Sequence, residues 1–200
     1  MPARIDAEKR RRDVVEAAFR LVVSEGLTGL SLRKVAAESG LNIGSVRHYF
    51  DDHRDLLVAA VTEVGDRMGD RLTRHSTGTL RGLTGTPAVD ALQALVEELL
   101  PIDDERRAES IVLLEFIVAA RVNPIFRPAT EQMAVDLHDV ITDALRVLEV
   151  PEPGEQARRL TAIIGGLTID MVTPHGSISV ESLRKTLRAH LFSILPPARS

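Results

Sequence analysis

The chain has 200 residues, of which 44% are hydrophobic, no cysteine and a formal net charge of −4. This length is enough for one large or two small folded units, and the lack of cysteine excludes disulfides and thiolate metal sites. No segment approaches the roughly 20 apolar residues of a membrane-spanning helix and the N-terminus lacks an apolar signal core, so we expect a soluble, cytoplasmic protein.

The first predicted helix runs from Asp6 to Glu25 and ends at Gly26. Residues 1–50 hold nine Lys or Arg and six Asp or Glu (net +3), whereas residues 51–200 hold sixteen and twenty-three (net −7). A basic cluster lies near the start of this helix: Arg4, Lys9, Arg10, Arg11 and Arg12. Because the phosphate backbone of DNA attracts cations, the cluster favours contact with nucleic acid; a solvated charge run is the alternative.

A short second helix is predicted after Ser31, whose side chain suits an N-cap. Leu32, Val35 and Ala36 share one face at helical spacing, and the small Ala36 allows another helix to cross closely. Gly40 follows the last periodic residue, as is typical of a C′ residue in the left-handed conformation. We therefore expect a sharp turn at Gly40.

The third predicted helix begins after Asn42, whose side-chain oxygen can cap it, and returns Val46 and the pair Tyr49–Phe50 to the core. The remaining positions face outward: Ile43, Gly44, Ser45, Arg47 and His48. Such a pair of helices is typical of a helix-turn-helix, which places its second helix in the DNA major groove. The alternative is a turn-linked helix pair without a DNA partner.

The match to a known family runs from about Ala7 to Val61 and is densest over Gly26–Leu57 (GLTGLSLRKVAAESGLNIGSVRHYFDDHRDLL), which resembles the DNA-binding domain of the tetracycline-repressor (TetR) family of bacterial transcription regulators. The resemblance is carried by Ser31, Val35, Ala36, Gly40, Gly44, Tyr49, Phe50, Leu56 and Leu57. The chain departs from the family pattern at Asn42 (usually Ser), Arg47 (usually Tyr) and His53–Arg54 (usually Lys–Glu). Arg47 can reach a phosphate or read guanine, whereas a neutral His53 gives a weaker phosphate contact than lysine.

The resemblance implies a regulator, in this family usually a repressor, that binds a palindromic operator as a homodimer. It also implies a DNA-binding domain over residues 1–52 and a helical effector-binding and dimerisation domain over residues 53–200. The residues predicted to bind DNA, from the outward positions and the resemblance together, are Lys9, Arg10, Ser31, Arg33, Asn42, Ile43, Gly44, Ser45, Arg47, His48, Tyr49 and His53.

Six further helices are predicted in the rest of the chain. The fourth, capped by Asp51 or Asp52, should run to about Arg74, and the Gly- and Thr-rich segment Ser76–Thr86 is the candidate for a mobile connector. The remaining five cover residues 86–100, 103–122, 123–148, 155–172 and 179–194, with candidate caps at Thr86, Asp103 or Asp104, Asn123 and Ser179. The predicted fold class is all-α, with about nine helices and no strand.

The second half resembles the C-terminal region of a TetR subgroup that includes the choline-sensing betaine-synthesis repressor. The carrying segments are residues 101–107, 113–124, 166–167 and 179–191. The resemblance implies that the last two helices pair with their copies in a second subunit. The residues predicted at that interface are Gly165, Gly166, Leu183, Leu187 and Leu191, and helix packing within one subunit is the alternative for the glycine pair.

Polar groups inside apolar helices, together with nearby phenylalanines, are candidates to bind a small-molecule effector. They are Glu115, Phe116, Arg121, Phe126, His138 and Asp170. The alternative places the polar members at the surface or in internal ion pairs. Because Trp is absent and Tyr49 is the single tyrosine, an aromatic cage for a quaternary ammonium would need Phe116, Phe126 and Phe192, which argues against choline itself as the ligand.

Enzymatic signatures are weak. Residues 31–34 match the S-x-x-K of acyl-serine enzymes without its partner motifs, no histidine has an i, i+4 partner, and no phosphate-binding glycine loop occurs. We therefore predict no catalytic site, metal or cofactor. The predicted function is a ligand-responsive DNA-binding regulator; the alternative is an all-α adaptor or scaffold whose helix-turn-helix contacts proteins.

Overall fold

The structure, a computed structural model, describes residues 2–75 and 77–195, with side chains from residue 7 onward. Within these ranges the chain forms nine α-helices and no strand, which confirms the predicted fold class. The helices are α1 (Pro2–Glu25), α2 (Leu32–Ser39), α3 (Ile43–Tyr49), α4 (His53–Leu72), α5 (Gly85–Glu97), α6 (Asp104–Ala120), α7 (Arg127–Val147), α8 (Pro153–Val172) and α9 (Val180–Ile194). Three 3₁₀ turns lie at Leu27–Gly29, Thr77–Leu80 and Pro124–Phe126. The side chain of Arg4 and the whole of Ser76 lie outside the described residues.

The chain divides into two compact units. The first combines residues up to 66 with residues 111–130, and the second combines residues 67–110 with residues from 131 onward. Their boundaries fall inside α4, α6 and α7. The sequence pattern gives no indication that residues 111–130 group with the N-terminal helices, and the division at residue 52 stays a prediction.

The first unit buries one face of each of its helices. Val14 and Ala18 of α1, Val35 of α2 and Val46 of α3 are all completely buried. From the second segment of this unit, Phe116 and Phe126 are also buried, and their ring centroids lie 5.0 Å apart at an angle of 60°. Tilted aromatic pairs at this distance add stability beyond the burial of their area.

The second unit has a continuous hydrophobic core built from α5, α7, α8 and α9. Its completely buried side chains include Leu92 of α5, Ile141 of α7, Leu160 of α8 and Leu187 of α9. On α9 the core residues recur every four positions, because Leu183, Leu187 and Leu191 lie on one face. This face therefore fixes α9 within its own subunit.

Several helix ends differ from the sequence-based expectation. Helix α5 begins at Gly85, so Thr86 lies in its first turn instead of capping it, and Pro87 fits there because first-turn amides have no intrahelical partner. The helix ends at Glu97, three residues earlier than predicted. The predicted connector contains a 3₁₀ turn whose Leu80 is only 3% exposed. Apolar burial of this one side chain orders a segment that composition alone marks as a loop.

Side-chain caps follow the predicted pattern elsewhere. Asp52 accepts from the Asp55 amide (2.9 Å), Asp103 from the Arg106 amide (2.8 Å) and Ser179 from the Ser182 amide (3.1 Å). Asn123 accepts from the Ile125 amide (3.3 Å), although it caps a 3₁₀ turn and not the long helix α7. Each cap satisfies an amide that has no partner within its own helix.

Candidate nucleic-acid interface

Helix α2 has the predicted cap, buried face and glycine corner. Ser31 has extended backbone and its Oγ accepts from the Lys34 amide at 3.2 Å. Ala36 is 4% exposed, and its carbonyl accepts from the Leu41 amide at 3.0 Å across the corner. Gly40 has φ +70° and ψ 14°, and a Cβ added there would meet nothing within 4 Å. The corner therefore requires glycine for its left-handed backbone and not for lack of space.

Helix α3 is capped by Asn42, whose Oδ1 accepts from the Ser45 amide at 2.8 Å. Val46 is completely buried and anchors the helix in the hydrophobic core of the first unit. Gly44 fits close to the cap, since an added Cβ would lie 3.2 Å from Asn42 Oδ1. The predictions of an Asn42 cap and a buried Val46 are confirmed.

The outward side of α3 is a short exposed row. Ile43, Gly44, Arg47 and His48 are exposed, whereas Ser45 and Tyr49 are half-buried. A seven-residue helix is about 10 Å long, and the major groove, about 12 Å wide, admits an α-helix. The row can therefore face base edges while Val46 stays in the core.

The remaining candidate contacts lie on α1, α2 and α4. Lys9, Arg10, Arg33 and His53 are exposed, and His53 is the first residue of α4. The ring of His48 lies edge-on to that of Tyr49, with centroids 5.2 Å apart, so the two aromatic side chains support each other at the end of α3.

Several cations of this unit have partners that the sequence does not reveal, including three on or beside the first three helices. Arg20 Nε pairs with Glu38 Oε1 at 2.6 Å, Lys34 Nζ pairs with Glu25, and the Arg11 guanidinium lies 5.2 Å from the centroid of the Phe50 ring. These partners are separated by 18, 9 and 39 positions, and no local spacing rule connects them. Fewer cations are therefore available to phosphates than the count of basic residues indicates.

Ser31 and Lys34, the two residues of the S-x-x-K match, have structural partners in this unit. The Ser31 hydroxyl is engaged as a helix cap, and the Lys34 ammonium is directed to Glu25. An acyl-serine site needs the lysine at the serine hydroxyl. Among the described residues no group of three His, Asp or Glu side chains could hold a metal ion.

The six effector candidates divide between the two units. Glu115, Phe116, Arg121 and Phe126 belong to the first unit, and His138 and Asp170 belong to the second. The half-buried Glu115 accepts from the Leu27 amide at 3.4 Å, and Arg121 is exposed.

In the second unit, His138 Nε2 lies 3.5 Å from the hydroxyl of Thr142. Asp170 is half-buried beside Gly176, where an added Cβ would clash with the Asp170 side chain. Each of these two candidates therefore has an identified neighbour in its own unit.

A buried ion-pair cluster in the second unit is a feature that sequence reasoning missed. Arg71 at the end of α4 pairs with Glu109 of α6 at 2.5 Å, and the two side chains are only 9% and 1% exposed. Glu98 joins the cluster through Arg71, whose Nε lies 3.8 Å from Glu98 Oε2, and Glu98 also pairs with His75 (3.1 Å) and Arg106 (3.4 Å). Breaking a buried pair leaves an uncompensated charge, so the cluster fixes the adjoining ends of α4, α5 and α6.

The five predicted dimer residues fall into two classes. Gly165 and Gly166 of α8 are exposed, and a Cβ added at either would meet nothing within 4 Å in its own chain. Leu183, Leu187 and Leu191 are completely buried in the core of the second unit. Their side chains are therefore not available to a second subunit.

Two sequence families match the chain. Residues 14–60 match the family described as bacterial regulatory proteins, tetR family. Residues 88–196, more than half of the chain, match the family described as BetI-type transcriptional repressor, C-terminal.

Relatives cover nearly the whole chain. The HTH-type transcriptional regulator PksA of Bacillus subtilis is 28% identical over 97% of this chain and 94% of its own. The HTH-type transcriptional regulator BetI of Stenotrophomonas maltophilia is 26% identical over 92% of each.

Solved structures with a similar fold include two transcriptional regulators. A transcriptional regulator from Rhodococcus sp. Rha1 has a TM-score of 0.81 at 27% identity, over 92% of this chain and 95% of that one. A transcriptional regulator from Saccharomonospora viridis, solved in complex with choline, has a TM-score of 0.80 at 25% identity, over 94% and 98%. None of the helices in the described ranges is long and apolar enough to cross a membrane.

Proposed function

Because the chain belongs to the TetR family of bacterial transcription regulators, we propose that it represses its target genes by binding a palindromic operator as a homodimer, and that a small-molecule effector releases it. Membership of the family makes it a ligand-responsive, DNA-binding regulator. The proposal adds three points: which residues contact base edges, which surface forms the dimer, and how a small molecule releases the protein from DNA. Its place of action is the cytoplasm, and it needs neither catalysis nor a metal.

The observation that carries the proposal is the exposed row on α3. Arg47 is exposed beside the capped and buried part of the helix, and it can donate two hydrogen bonds to guanine O6 and N7. Lys9, Arg33 and His53 supply positioning contacts to phosphates. In a helix-turn-helix, one helix contacts base edges and the neighbouring elements contact the DNA backbone. The exposed side chains of α3 and of its neighbours support this arrangement.

One reading helix contacts few base pairs, so specificity favours two copies. Two-fold symmetry doubles the readout over half-sites about one helical turn, roughly 34–36 Å, apart. On α8 an exposed stripe of small and apolar residues recurs at helical spacing: Ala162, Gly165, Gly166 and Ile169. Ile169 is 40% exposed, and on α9 Phe192 is 49% exposed. We place the dimer interface on these exposed residues and no longer on the buried leucines.

The effector is proposed to be a small organic molecule held by some of the six candidates. The similar protein from S. viridis was solved with choline, which supports a small-molecule ligand for this fold. In this chain Phe116 and Phe126 pack against each other in the first unit, while Phe192 is exposed in the second. A cage for a quaternary ammonium therefore has little support, and we expect choline to leave both operator affinity and melting temperature unchanged.

A salt titration tests the function directly. Duplexes are selected from a random pool by the full chain, and the dissociation constant of the best duplex is measured at several salt concentrations. For a DNA-binding protein, the logarithm of the association constant falls linearly with the logarithm of the salt concentration, with a slope of about −0.9 per phosphate contacted. If no duplex is enriched, or if affinity does not change with salt, the adaptor alternative replaces the regulator.

A further inference from the structure

We infer that Glu115 of α6 positions the DNA-reading helices by capping the turn that joins α1 to α2. Glu115 Oε2 accepts from the Leu27 amide at 3.4 Å, and Leu27 is the first residue of the 3₁₀ turn Leu27–Gly29. The residue is thus a positioning residue and not an effector ligand. The inference rests on the proposed function, since it explains how a residue outside the helix-turn-helix affects operator binding.

The neighbouring glycine supports this contact independently. Gly26 has φ +72°, and a Cβ added there would meet only the Glu115 carboxylate, with Oε2 at 3.6 Å and Cδ at 3.9 Å. The carboxylate therefore lies against two consecutive backbone residues of the turn. A negative charge is favoured at this place because the first amides of a helical turn have no intrahelical acceptor and carry partial positive charge.

Helix α6 holds this carboxylate firmly. Val112 and Phe116, which flank Glu115 on the helix, are completely buried, and Phe116 packs on Phe126. The other polar link of the turn is the ion pair of Glu25 with Lys34, whose side chains are 41% and 49% exposed. Exposed ion pairs contribute little to stability, and this pair does not engage the Leu27 amide, so we assign the restraint on that amide to Glu115.

The turn determines where the reading helices begin. Ser31 follows Leu27 by four residues and caps α2, and α2 leads through Gly40 into α3. Without the Glu115 cap, α2 and α3 sample more orientations relative to α1. Binding DNA must then select one of them, and the cost of ordering lowers operator affinity.

The experiment compares Glu115→Ala, Glu115→Gln and the matched control Glu131→Ala in the full chain, using the selected duplex. Glu131 is exposed on α7. Its replacement by alanine removes one negative charge, as Glu115→Ala does, at a position in the second unit and not at the turn at residues 27–29. We expect Glu115→Ala to bind the duplex about fivefold more weakly, in line with loss of one hydrogen bond of ordinary net strength. Amide hydrogen exchange should become about tenfold faster at residues 27–29 and stay unchanged at the buried Val35 and Val46.

Glu115→Gln retains an acceptor oxygen without the charge. It should bind within about twofold of wild type, with exchange of the Leu27 amide about threefold faster, and Glu131→Ala should match wild type in both assays. If Glu115→Ala fails to fold, the rate of amide hydrogen exchange at Leu27 in Glu115→Gln decides whether Glu115 caps the turn.

Two results overturn the inference. One is unchanged exchange at Leu27 in a folded Glu115 variant, and the other is a uniform loss of protection over α2 and α3, which would make Glu115 a general stabilising residue. Failure of wild type to bind any duplex would refute the proposed function instead, and the exchange measurements would still test the cap.

Discussion

The glycine pair of α8 gives the sharpest test of the proposed dimer, because two effects of one methyl group have opposite signs. Within the subunit, Gly165→Ala and Gly166→Ala should each stabilise α8 by about 1 kcal/mol through helix propensity. No steric cost opposes this gain, since the added Cβ meets nothing within 4 Å in its own chain. At an interface where two helices approach closely, the same Cβ should cost about 1–3 kcal/mol by overpacking.

We therefore expect Gly166→Ala to raise the dimer dissociation constant about tenfold, as measured by analytical ultracentrifugation, for a net loss of about 1.4 kcal/mol at the interface. The matched control is Gly69→Ala, which lies on the exposed side of α4 and also meets nothing within 4 Å. It should raise thermal stability and leave dimerisation unchanged. Equal dimer dissociation constants for wild type, Gly165→Ala and Gly166→Ala would refute the interface.

Substitutions at three further positions test helix α3 and one titrating group. Asn42→Ala should destabilise α3 by about 1 kcal/mol in denaturant unfolding, whereas Asn42→Ser keeps a capping oxygen and should cost less than half as much; equal losses would contradict the cap. Arg47→Ala should relax base preference at one operator position and cost about 1–3 kcal/mol of affinity in selection and binding assays, and an unchanged preference would mean that another residue reads the base. Burial, and then the charge of Arg159, lower the pKa of His190 below its usual 6.5, so the unfolded chain takes up this proton more readily than the folded one. The melting temperature should therefore fall as the pH drops below 6.5, and it should fall less in His190→Gln; identical pH profiles would contradict this assignment.

The helix-turn-helix was predictable from the sequence because its determinants are local. A cap acts within three residues, as Ser31 does on Lys34 and Asn42 does on Ser45, and a C′ glycine acts on the turn that it ends. The periodicity of apolar residues gave the number of helices in the same way. The start of α5 was predicted at the wrong residue because Thr86–Pro87 resembles a cap and first helical residue, whereas the helix begins at Gly85 without a side-chain cap hydrogen bond.

The rest of the site depends on contacts between distant residues, which single-sequence patterns do not encode. Arg71 and Glu109 are 38 positions apart, and Glu115 and Leu27 are 88 apart. A polar residue in an apolar helix signals that it needs a partner, but it does not say whether that partner is a ligand, an ion or a backbone amide. For the same reason the leucines of α9 were predicted at the dimer interface, although periodicity shows only that one face is buried and not by what.

The charge distribution supports a regulator that approaches DNA by one surface. Residues 1–50 carry +3 and residues 51–200 carry −7, so the phosphate backbone attracts the segment with the reading helix and repels the larger remainder. Arg20 and Lys34 are paired with Glu38 and Glu25, so we expect these two cations to contribute less to phosphate binding than their charge alone indicates. If Arg47 and a second subunit read bases as proposed, their contacts supply the sequence-specific part of the operator affinity. In the proposed mode of release, effector binding lowers the operator affinity by a coupling free energy that is typically about 1–3 kcal/mol.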